Sequence, residues 1–235
     1  MLGADYSSKF SAWLANGSLS PRKVYEEVKR YEKERVKNKS SYWVVFDLLW
    51  RDYIRFITKK YGNSIFQFGG IQEASPDLRN DIALFHKWKS GETGVPFIDA
   101  NMREINATGF MSNRGRQNVA SFLVKDLKVN WNWGASFFET MLIDYDVCSN
   151  WVNWNYVAGV GNDPRENRYF NIMSQAQRYD SQGEYVRHWI PELSDIPGKK
   201  VHYPTEIPHP ELADMGITIG EDYPKPLVAF SKWLY

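Results

Sequence analysis

The residues best suited to chemistry in this chain lie between positions 144 and 170. Asp144 and Asp146 flank Tyr145, and Asn150 follows shortly after them. Paired carboxylates can perform acid–base chemistry, bind a metal ion or form an ion pair with a nearby arginine. The histidines lack the spacing of metal ligands, which disfavours a metal site; they are His86, His188, His202 and His209.

Two other segments combine groups that bind anions. Asn113 and the guanidinium groups of Arg114 and Arg116 suit bidentate contacts with phosphate or carboxylate, although a solvated basic turn has the same composition. The segment Ser7–Ser11 places hydroxyl groups and Lys9 just before a predicted helix, where backbone N–H groups favour a phosphate. Helix capping is the alternative explanation for these serines.

Composition limits the class of protein. The chain has 235 residues, 43% hydrophobic and 24% charged, which predicts a single domain over residues 1–235 with a sizeable core. A formal charge of +1 excludes polyanion binding through bulk charge, so a nucleic-acid contact requires a local basic patch. The single cysteine, Cys148, excludes an internal disulfide and a Cys-based zinc or iron–sulfur site.

The sequence shows neither a membrane span nor a targeting segment. No apolar run approaches the ~18 residues of a spanning helix, and the first ten residues lack the apolar region of a signal peptide. We therefore expect a soluble intracellular protein with no membrane partner. The sequence does not distinguish the cytoplasm from the chloroplast or the mitochondrion.

Hydrophobic spacing predicts an irregular all-α fold. Ser20 followed by Pro21 predicts the start of one helix, and Ser41 the start of the next. Prolines after Pro191 exclude long helices and central strands, so the C-terminal part is expected to wrap the helical body as ordered loop. Further helices are predicted at Asp81–Lys89, Phe97–Ala107, Arg114–Lys128 and Gly134–Tyr145.

Two long segments carry a family resemblance. Residues 88–127, WKSGETGVPFIDANMREINATGFMSNRGRQNVASFLVKDL, and residues 144–170, DYDVCSNWVNWNYVAGVGNDPRENRYF, resemble the helical FAD-binding domain of the photolyase/cryptochrome family, specifically its DASH-type branch. The resemblance implies a multi-helix FAD-binding fold with a Pro-rich C-terminal wrap, truncated at its N-terminus. The amino-terminal α/β antenna domain of the family is absent from this sequence, so a folate antenna is not expected.

The resemblance assigns residues to the cofactor. It implies that the segment Ser7–Ser11 holds the pyrophosphate of FAD, that Arg51 approaches the phosphates and that Asn150 faces flavin N5. Asp144 is implied to pair with Arg116 near the isoalloxazine. The full implied FAD-binding set is Ser7, Ser8, Lys9, Phe10, Ser11, Arg51, Asn113, Arg116, Asp144, Tyr145, Asp146 and Asn150.

The resemblance also assigns electron transfer and substrate binding. Trp88, Trp131 and Trp154 lie in motifs that contribute the tryptophan chain from the surface to excited flavin. The implied DNA-binding residues are Asp47, Trp50, Arg114, Gln117, Tyr156, Arg165 and Arg168. Asp47 stands where the family usually has Glu, which retracts the carboxylate from a flipped base. Gln117 in place of Met and Tyr156 in place of Trp are DASH-type features, and they accompany a preference for single-stranded DNA.

Three hypotheses of function follow. The leading one is a DASH-type domain in which reduced flavin donates an electron to cyclobutane pyrimidine dimers in single-stranded DNA, a photolyase activity, with RNA as an alternative partner. The second is a blue-light photoreceptor or nucleic-acid-binding regulator without repair, motivated by Asp47. The third is a flavin-free scaffold whose exposed face is covered by a separate chain. Fold resemblance alone does not decide among them.

Overall fold

The computed structural model describes residues 7–163 and 168–233, and these residues form a helical body. The α-helices are α1 Ser11–Ala15, α2 Pro21–Glu34, α3 Lys39–Tyr61, α4 Ile82–Ser90, α5 Pro96–Thr108, α6 Asn113–Ser121, α7 Trp131–Met141, α8 Val147–Ala158, α9 Ile172–Tyr179, α10 Glu184–Trp189 and α11 His209–Asp214. Within the described ranges there are no β-strands, only the isolated bridges Arg79↔Val129 and Ile219↔Tyr223. The predicted all-α fold is confirmed.

Local sequence explains where the long helices begin. Ser20 precedes Pro21 at the first position of α2, as predicted, although the Ser20 side chain makes no capping hydrogen bond. α3 begins earlier than predicted. Asn38 caps it by accepting from Ser41 N (3.0 Å), and Ser41 Oγ accepts from Asn38 N in return. Ser41 is therefore the third residue of a capping box.

Several predicted boundaries were wrong. The helix predicted at Gly134–Tyr145 begins at Trp131, because Asn130 caps it, and it ends at Met141. The helix predicted at Arg114–Lys128 divides into α6 and a π-helical turn, Phe122–Asp126. α8, α9 and α10 were not predicted. The proline-punctuated C-terminal part contains short 3₁₀ turns, Pro191–Leu193, Gly198–His202, Pro204–Glu206 and Phe230–Trp233, besides α11.

Helix α5 is the centre of the body. Nine of its residues are buried, including acidic ones, so it packs on every side rather than along one stripe. α4, α6 and α10 pack against it. α7 and α8 pack against each other, and α3 lies against α8 with only Ser41 and Ile54 buried. Residues that the resemblance assigns to the cofactor and to the substrate lie on α3, α6 and α8. Within the described residues, no helix is long and apolar enough to cross a membrane.

The C-terminal part is fixed to α5 by a buried carboxylate. Asp99 accepts hydrogen bonds from Thr93 N (2.8 Å), Gly94 N (2.9 Å) and the Tyr223 hydroxyl group. Gly94 has φ +72°, and a Cβ there would lie 2.5 Å from the backbone of Lys225, so only glycine fits between the two segments. Burial raises the pKa of Asp99 to about 6, against the lowering effect of its hydrogen bonds.

We expect Asp99 to make stability fall as pH rises. The folded state binds the Asp99 proton more tightly than the unfolded chain, in which the pKa of this carboxyl group is 3.8. The protonated Asp99 therefore adds its full contribution to the free energy of unfolding below pH ~4, and this contribution is lost as pH rises through about 6. The loss amounts to about 3 kcal/mol. Urea unfolding across that pH range should give a flatter pH dependence for Asp99→Asn than for the wild type. The exposed Asp195→Asn is the control, and an unchanged slope in Asp99→Asn would show that Asp99 stays ionised.

Candidate functional site

An ion pair joins α6 to the segment between α7 and α8. Arg116 Nη2 donates to both oxygens of Asp144, at 2.9 and 2.8 Å, and Arg116 Nε donates to Met111 O at 2.8 Å. The Asp144 side chain is only 3% exposed and the Arg116 side chain 26%, so the pair borders a partly open space. A guanidinium held by a buried carboxylate in this way presents its remaining N–H groups in a fixed direction.

Asp146 has a structural task at the start of α8. Its Oδ1 accepts from Ser149 N at 2.9 Å, which caps the helix, and its Oδ2 lies 3.3 Å from Arg55 Nη2. Burial opposes ionisation, but the hydrogen bonds from Ser149 and Arg55 lower the pKa of Asp146 below its ordinary value. Asp146 is therefore a carboxylate, and its remaining lone pairs are the ones free for a cofactor.

Asn150 and Tyr145 lie on either side of Asp146 in the sequence, near the start of α8. Asn150 is buried on the first turns of α8, and its Nδ2 donates to Ala135 O at 3.0 Å, which fixes the carboxamide against α7. Tyr145 is half-buried; burial and a hydrogen bond with Glu139 raise its pKa to about 12. The Tyr145 hydroxyl group is therefore protonated at neutral pH.

Arg51 supplies a cation in which one of the two terminal nitrogens has no hydrogen-bond acceptor among the described residues. Its Nη2 donates to Leu14 O at 3.0 Å, which ties α1 to α3. Its Nη1 is buried and has no acceptor among the described residues. Because an unsatisfied buried donor is costly, the geometry fits an anionic ligand beside Arg51. Asn113, at the start of α6, is exposed.

The segment Ser7–Ser11 lies at the surface before α1. Lys9 has a left-handed backbone, φ +55°, and its Nζ lies 5.8 Å from the centre of the Phe110 ring. Ser7, Ser8, Phe10 and Ser11 are exposed. Burial raises the pKa of Glu104. The hydrogen bond from Tyr185 and the positive charges of Lys9 and Arg116 oppose this shift. Glu104 accepts from the Tyr185 hydroxyl group at 2.7 Å and is a buried carboxyl group that the sequence did not indicate.

Two of the three tryptophans assigned to electron transfer are in ring contact. Trp154 and Trp88 have their ring centres 6.3 Å apart, and Phe138 contacts both rings. Trp88 Nε1 donates to Val119 O at 3.0 Å, which fixes the indole between α4 and α6. The contact was not predictable from spacing, since the two residues are 66 positions apart.

Trp131 belongs to a neighbouring aromatic contact. Its ring packs against Trp151, with ring centres 5.9 Å apart, and its Nε1 donates to Phe68 O at 2.9 Å. Trp88 and Trp131 are fully buried and Trp154 is 3% exposed. All three indoles are therefore shielded from solvent by the described residues. The half-buried Trp133 reaches Trp88 through Phe85, at ring distances of 5.5 and 5.9 Å.

The residues assigned to substrate meet where α3 crosses α8. The rings of Trp50 and Tyr156 lie edge to face at 6.1 Å, and the Arg168 guanidinium lies 5.4 Å from the Tyr156 ring centre. Arg168 forms an ion pair with Asp163. Asp47 is exposed on α3, yet partial desolvation raises its pKa, and no charged neighbour among the described residues lowers it.

The remaining DNA-binding candidates are only partly brought together. Arg114 Nη1 donates to Gln117 Oε1 at 2.8 Å, and the guanidinium lies 5.0 Å from the Tyr179 ring centre. This pair belongs to α6, separate from the contact between Trp50 and Tyr156. Arg165 lies outside the described residues. The described residues contain no cluster of His, Cys, Asp and Glu able to hold a metal ion.

Comparison with known proteins identifies the family. Residues 43–233 match the family described as the FAD binding domain of DNA photolyase. The chain belongs to this family. It is 60% identical to Cryptochrome DASH of Synechocystis sp. over 232 residues, covering 99% of the chain and 47% of the relative. It is 55% identical to Cryptochrome DASH of Xenopus laevis over 233 residues, covering 99% of the chain and 45% of the relative.

A solved structure agrees with these relatives. The crystal structure of the Synechocystis cryptochrome superposes with a TM-score of 0.96 at 58% identity, covering 100% of this chain and 48% of that one. The predicted DASH-type resemblance and FAD-binding helical fold are confirmed. The chain spans about half the length of the curated relatives it matches.

FAD is accordingly the cofactor of this photolyase-family domain. The residues present fit it, because Arg51 has an unsatisfied buried donor and Arg116 is oriented by Asp144 beside the capped start of α8. Arg55, which holds Asp146, was missed in the sequence. The available signal was its position four residues after Arg51, on the same helix face.

Backbone contact controls the position of Trp154. A Cβ on Gly134 of α7 would lie 2.3 Å from Trp154 Cη2 and 2.7 Å from Leu123 Cδ2. The indole therefore rests directly on the helix backbone, and no other residue fits at position 134 without displacing it.

We expect Gly134→Ala to destabilise the domain by about 1–3 kcal/mol through overpacking, despite the better helix propensity of alanine. Thermal unfolding should report the loss, and near-ultraviolet circular dichroism should change because the Trp154 indole moves. Ser136→Ala, an exposed change on the same helix, is the control. A variant as stable as the wild type, with an unaltered aromatic spectrum, would contradict the packing.

Proposed function

We propose that this domain uses FAD for blue-light-driven electron transfer from reduced flavin to cyclobutane pyrimidine dimers in single-stranded DNA. The observation that carries the proposal is the aromatic corner formed by Trp50 of α3 and Tyr156 of α8, whose ring centres lie 6.1 Å apart. Asn150 lies on α8 as well. Six residues of α-helix separate Asn150 from Tyr156, or about 9 Å. A stacked base and a cofactor at Asn150 would then be neighbours.

The cofactor-binding residues have distinct roles in this proposal. The segment Ser7–Ser11 and Arg51 bind the phosphates, and Asn113 contacts the same ligand from the start of α6. Arg116, oriented by Asp144, and the carboxylate of Asp146 hydrogen-bond the ring system, with Tyr145 beside them. Asn150 contacts the ring at the reactive nitrogen. When bound, reduced and excited FAD supplies the electron that opens the dimer.

The substrate residues act by stacking and by hydrogen bonding. Trp50 and Tyr156 provide apolar ring faces for the two pyrimidines. The carboxyl group of Asp47, whose pKa is raised by desolvation, is proposed to hydrogen-bond a pyrimidine of the dimer. Arg114, with Gln117, and Arg168 provide cations for phosphates, and Arg165 is assigned there by the resemblance alone.

Trp154, Trp88 and Trp131 are proposed to carry electrons to excited, oxidised flavin and so to bring it to the reduced state that repair needs. The contact between Trp154 and Trp88, with ring centres 6.3 Å apart, supports direct transfer between those two. We also propose that residues 1–235 form a single domain. A continuous cluster of buried side chains, from Ile54 to Trp233, supports this part of the proposal.

A second candidate is a flavin photoreceptor or nucleic-acid-binding regulator that does not repair. Asp47 favours it, because its short side chain reaches less far than the usual Glu. Repair of a dimer-containing oligonucleotide under blue light separates the two candidates. A purified chain that fails to bind FAD even after reconstitution would leave only the flavin-free scaffold.

We expect Trp50→Ala to weaken binding of a dimer-containing single-stranded oligonucleotide by about 5- to 150-fold, since base–aromatic stacking contributes ~1–3 kcal/mol. Fluorescence anisotropy and light-dependent repair should fall together. Trp43→Ala removes a 54% exposed tryptophan from the same helix and should change neither. Equal losses in the two variants would indicate a general effect on α3 and refute the stacking role.

We expect Trp154→Phe to slow photoreduction of bound FAD at least tenfold, because phenylalanine is a much poorer electron donor than tryptophan. The absorption spectrum from about 300 to 700 nm, recorded under blue light with a reductant, gives the rate; FAD content should not change. Trp189→Phe, in α10, is the matched control. Wild-type kinetics in Trp154→Phe would exclude the proposed electron chain.

A further inference from the structure

A stripe of large side chains runs along α3 on its solvent face. Tyr42, Phe46, Leu49, Tyr53 and Phe56 follow one another at spacings of four, three, four and three residues, which places them on one side of the helix. Leu49 is 63% exposed and Phe56 is 69% exposed. A contiguous apolar surface of this kind usually marks an interaction site.

The stripe continues the aromatic corner formed by Trp50 and Tyr156. The rings of Trp50 and Tyr53 lie 5.2 Å apart, and Asn162 Nδ2 donates to the Tyr53 hydroxyl group, which positions the ring at the surface. Phe56 lies six residues beyond Trp50, or about 9 Å along the helix axis. Phe56 also lies roughly a third of a turn around the helix from Trp50, with Tyr53 between them. A strand with a base at Trp50 can therefore reach Phe56 by passing over the Tyr53 ring.

The far end of the stripe is basic. From Arg51 to Lys60 the only acidic residue is Asp52, whereas Arg55, Lys59 and Lys60 are cationic. Arg55 is held by Asp146 at 3.3 Å, which leaves the two lysines in the last turn of α3 to face a polyanion. Lys60 follows Phe56 by four residues, so it lies on the same side of the helix.

We propose that Tyr53, Phe56 and Lys60 form a flanking track that binds the nucleotides next to the dimer in single-stranded DNA. The proposal rests on the proposed function for the position of the dimer. Aromatic rings followed by cations are the combination that single-stranded nucleic acids bind, with bases stacked on rings and phosphates near ammonium groups. A protein helix docking at the same spacing would instead favour aliphatic residues, of which the stripe has only Leu49.

The test compares two ligands on the FAD-loaded chain. One is an undamaged oligothymidylate of about 12 nucleotides, and the other is a dinucleotide dimer too short to reach the track. We expect Phe56→Ala to weaken oligothymidylate binding by about 5- to 150-fold and to leave dinucleotide binding unchanged. Lys60→Gln should reduce the slope of log K against log salt by about 0.7. Tyr31→Ala removes a 47% exposed tyrosine from α2 and is the matched control.

The outcomes separate this inference from the proposed function. If Phe56→Ala weakens oligothymidylate binding and the wild type does not bind the dinucleotide dimer, the flanking track is supported and the proposed function is refuted. Unchanged oligothymidylate affinity in Phe56→Ala overturns the track. Sedimentation that shows the wild type self-associating, with Phe56→Asp monomeric, would also overturn it by making the stripe a contact between two copies.

Discussion

The ion pair between Arg116 and Asp144 is the contact on which the site depends. Asp144 lies in the short connection between α7 and α8, and Arg116 lies on α6, so the pair fixes two helices that are not consecutive. Arg116 also holds Met111 O, which sets the turn that leads into α6. A buried carboxylate without its guanidinium would be strongly unfavourable, so the pair also specifies how α6 and α8 approach each other.

Much of the site was predictable because its residues are close in sequence. Asp144, Asp146 and Asn150 are brought together by the start of one helix, and that helix could have been predicted from Asp146 at its N-cap and Gly159 after its last residue. The family motifs predicted the fold class and the cofactor. Helix boundaries were poorly predicted around Trp131, because the capping residue Asn130 was not recognised.

The remaining features depend on contacts between residues that are distant in sequence. Hydrophobic periodicity predicts local structure and gives no information about such contacts. The partners Arg55 and Asp146 are 91 residues apart, and Trp88 meets Trp154 only because α4 and α8 both pack against neighbouring helices. The burial of Trp88 and Trp131 likewise followed from tertiary packing, and the motifs that contain them gave no indication of it. Glu104 was missed because a glutamate on a predicted helix is normally solvated, whereas α5 is buried on every side.

The hydrogen bond between Tyr223 and Asp99 joins residues 124 positions apart, and this separation bears on how the chain folds. Contacts between distant residues form late, because the entropy of closing the intervening loop must be overcome first. During synthesis from the N-terminus, α5 is complete long before Tyr223 exists. Until then Asp99 lacks one of its donors, so the central helix of the body cannot acquire its final surroundings. The core of this domain should therefore be completed late in folding, only after the segment that contains Tyr223 has been synthesised and has packed against α5.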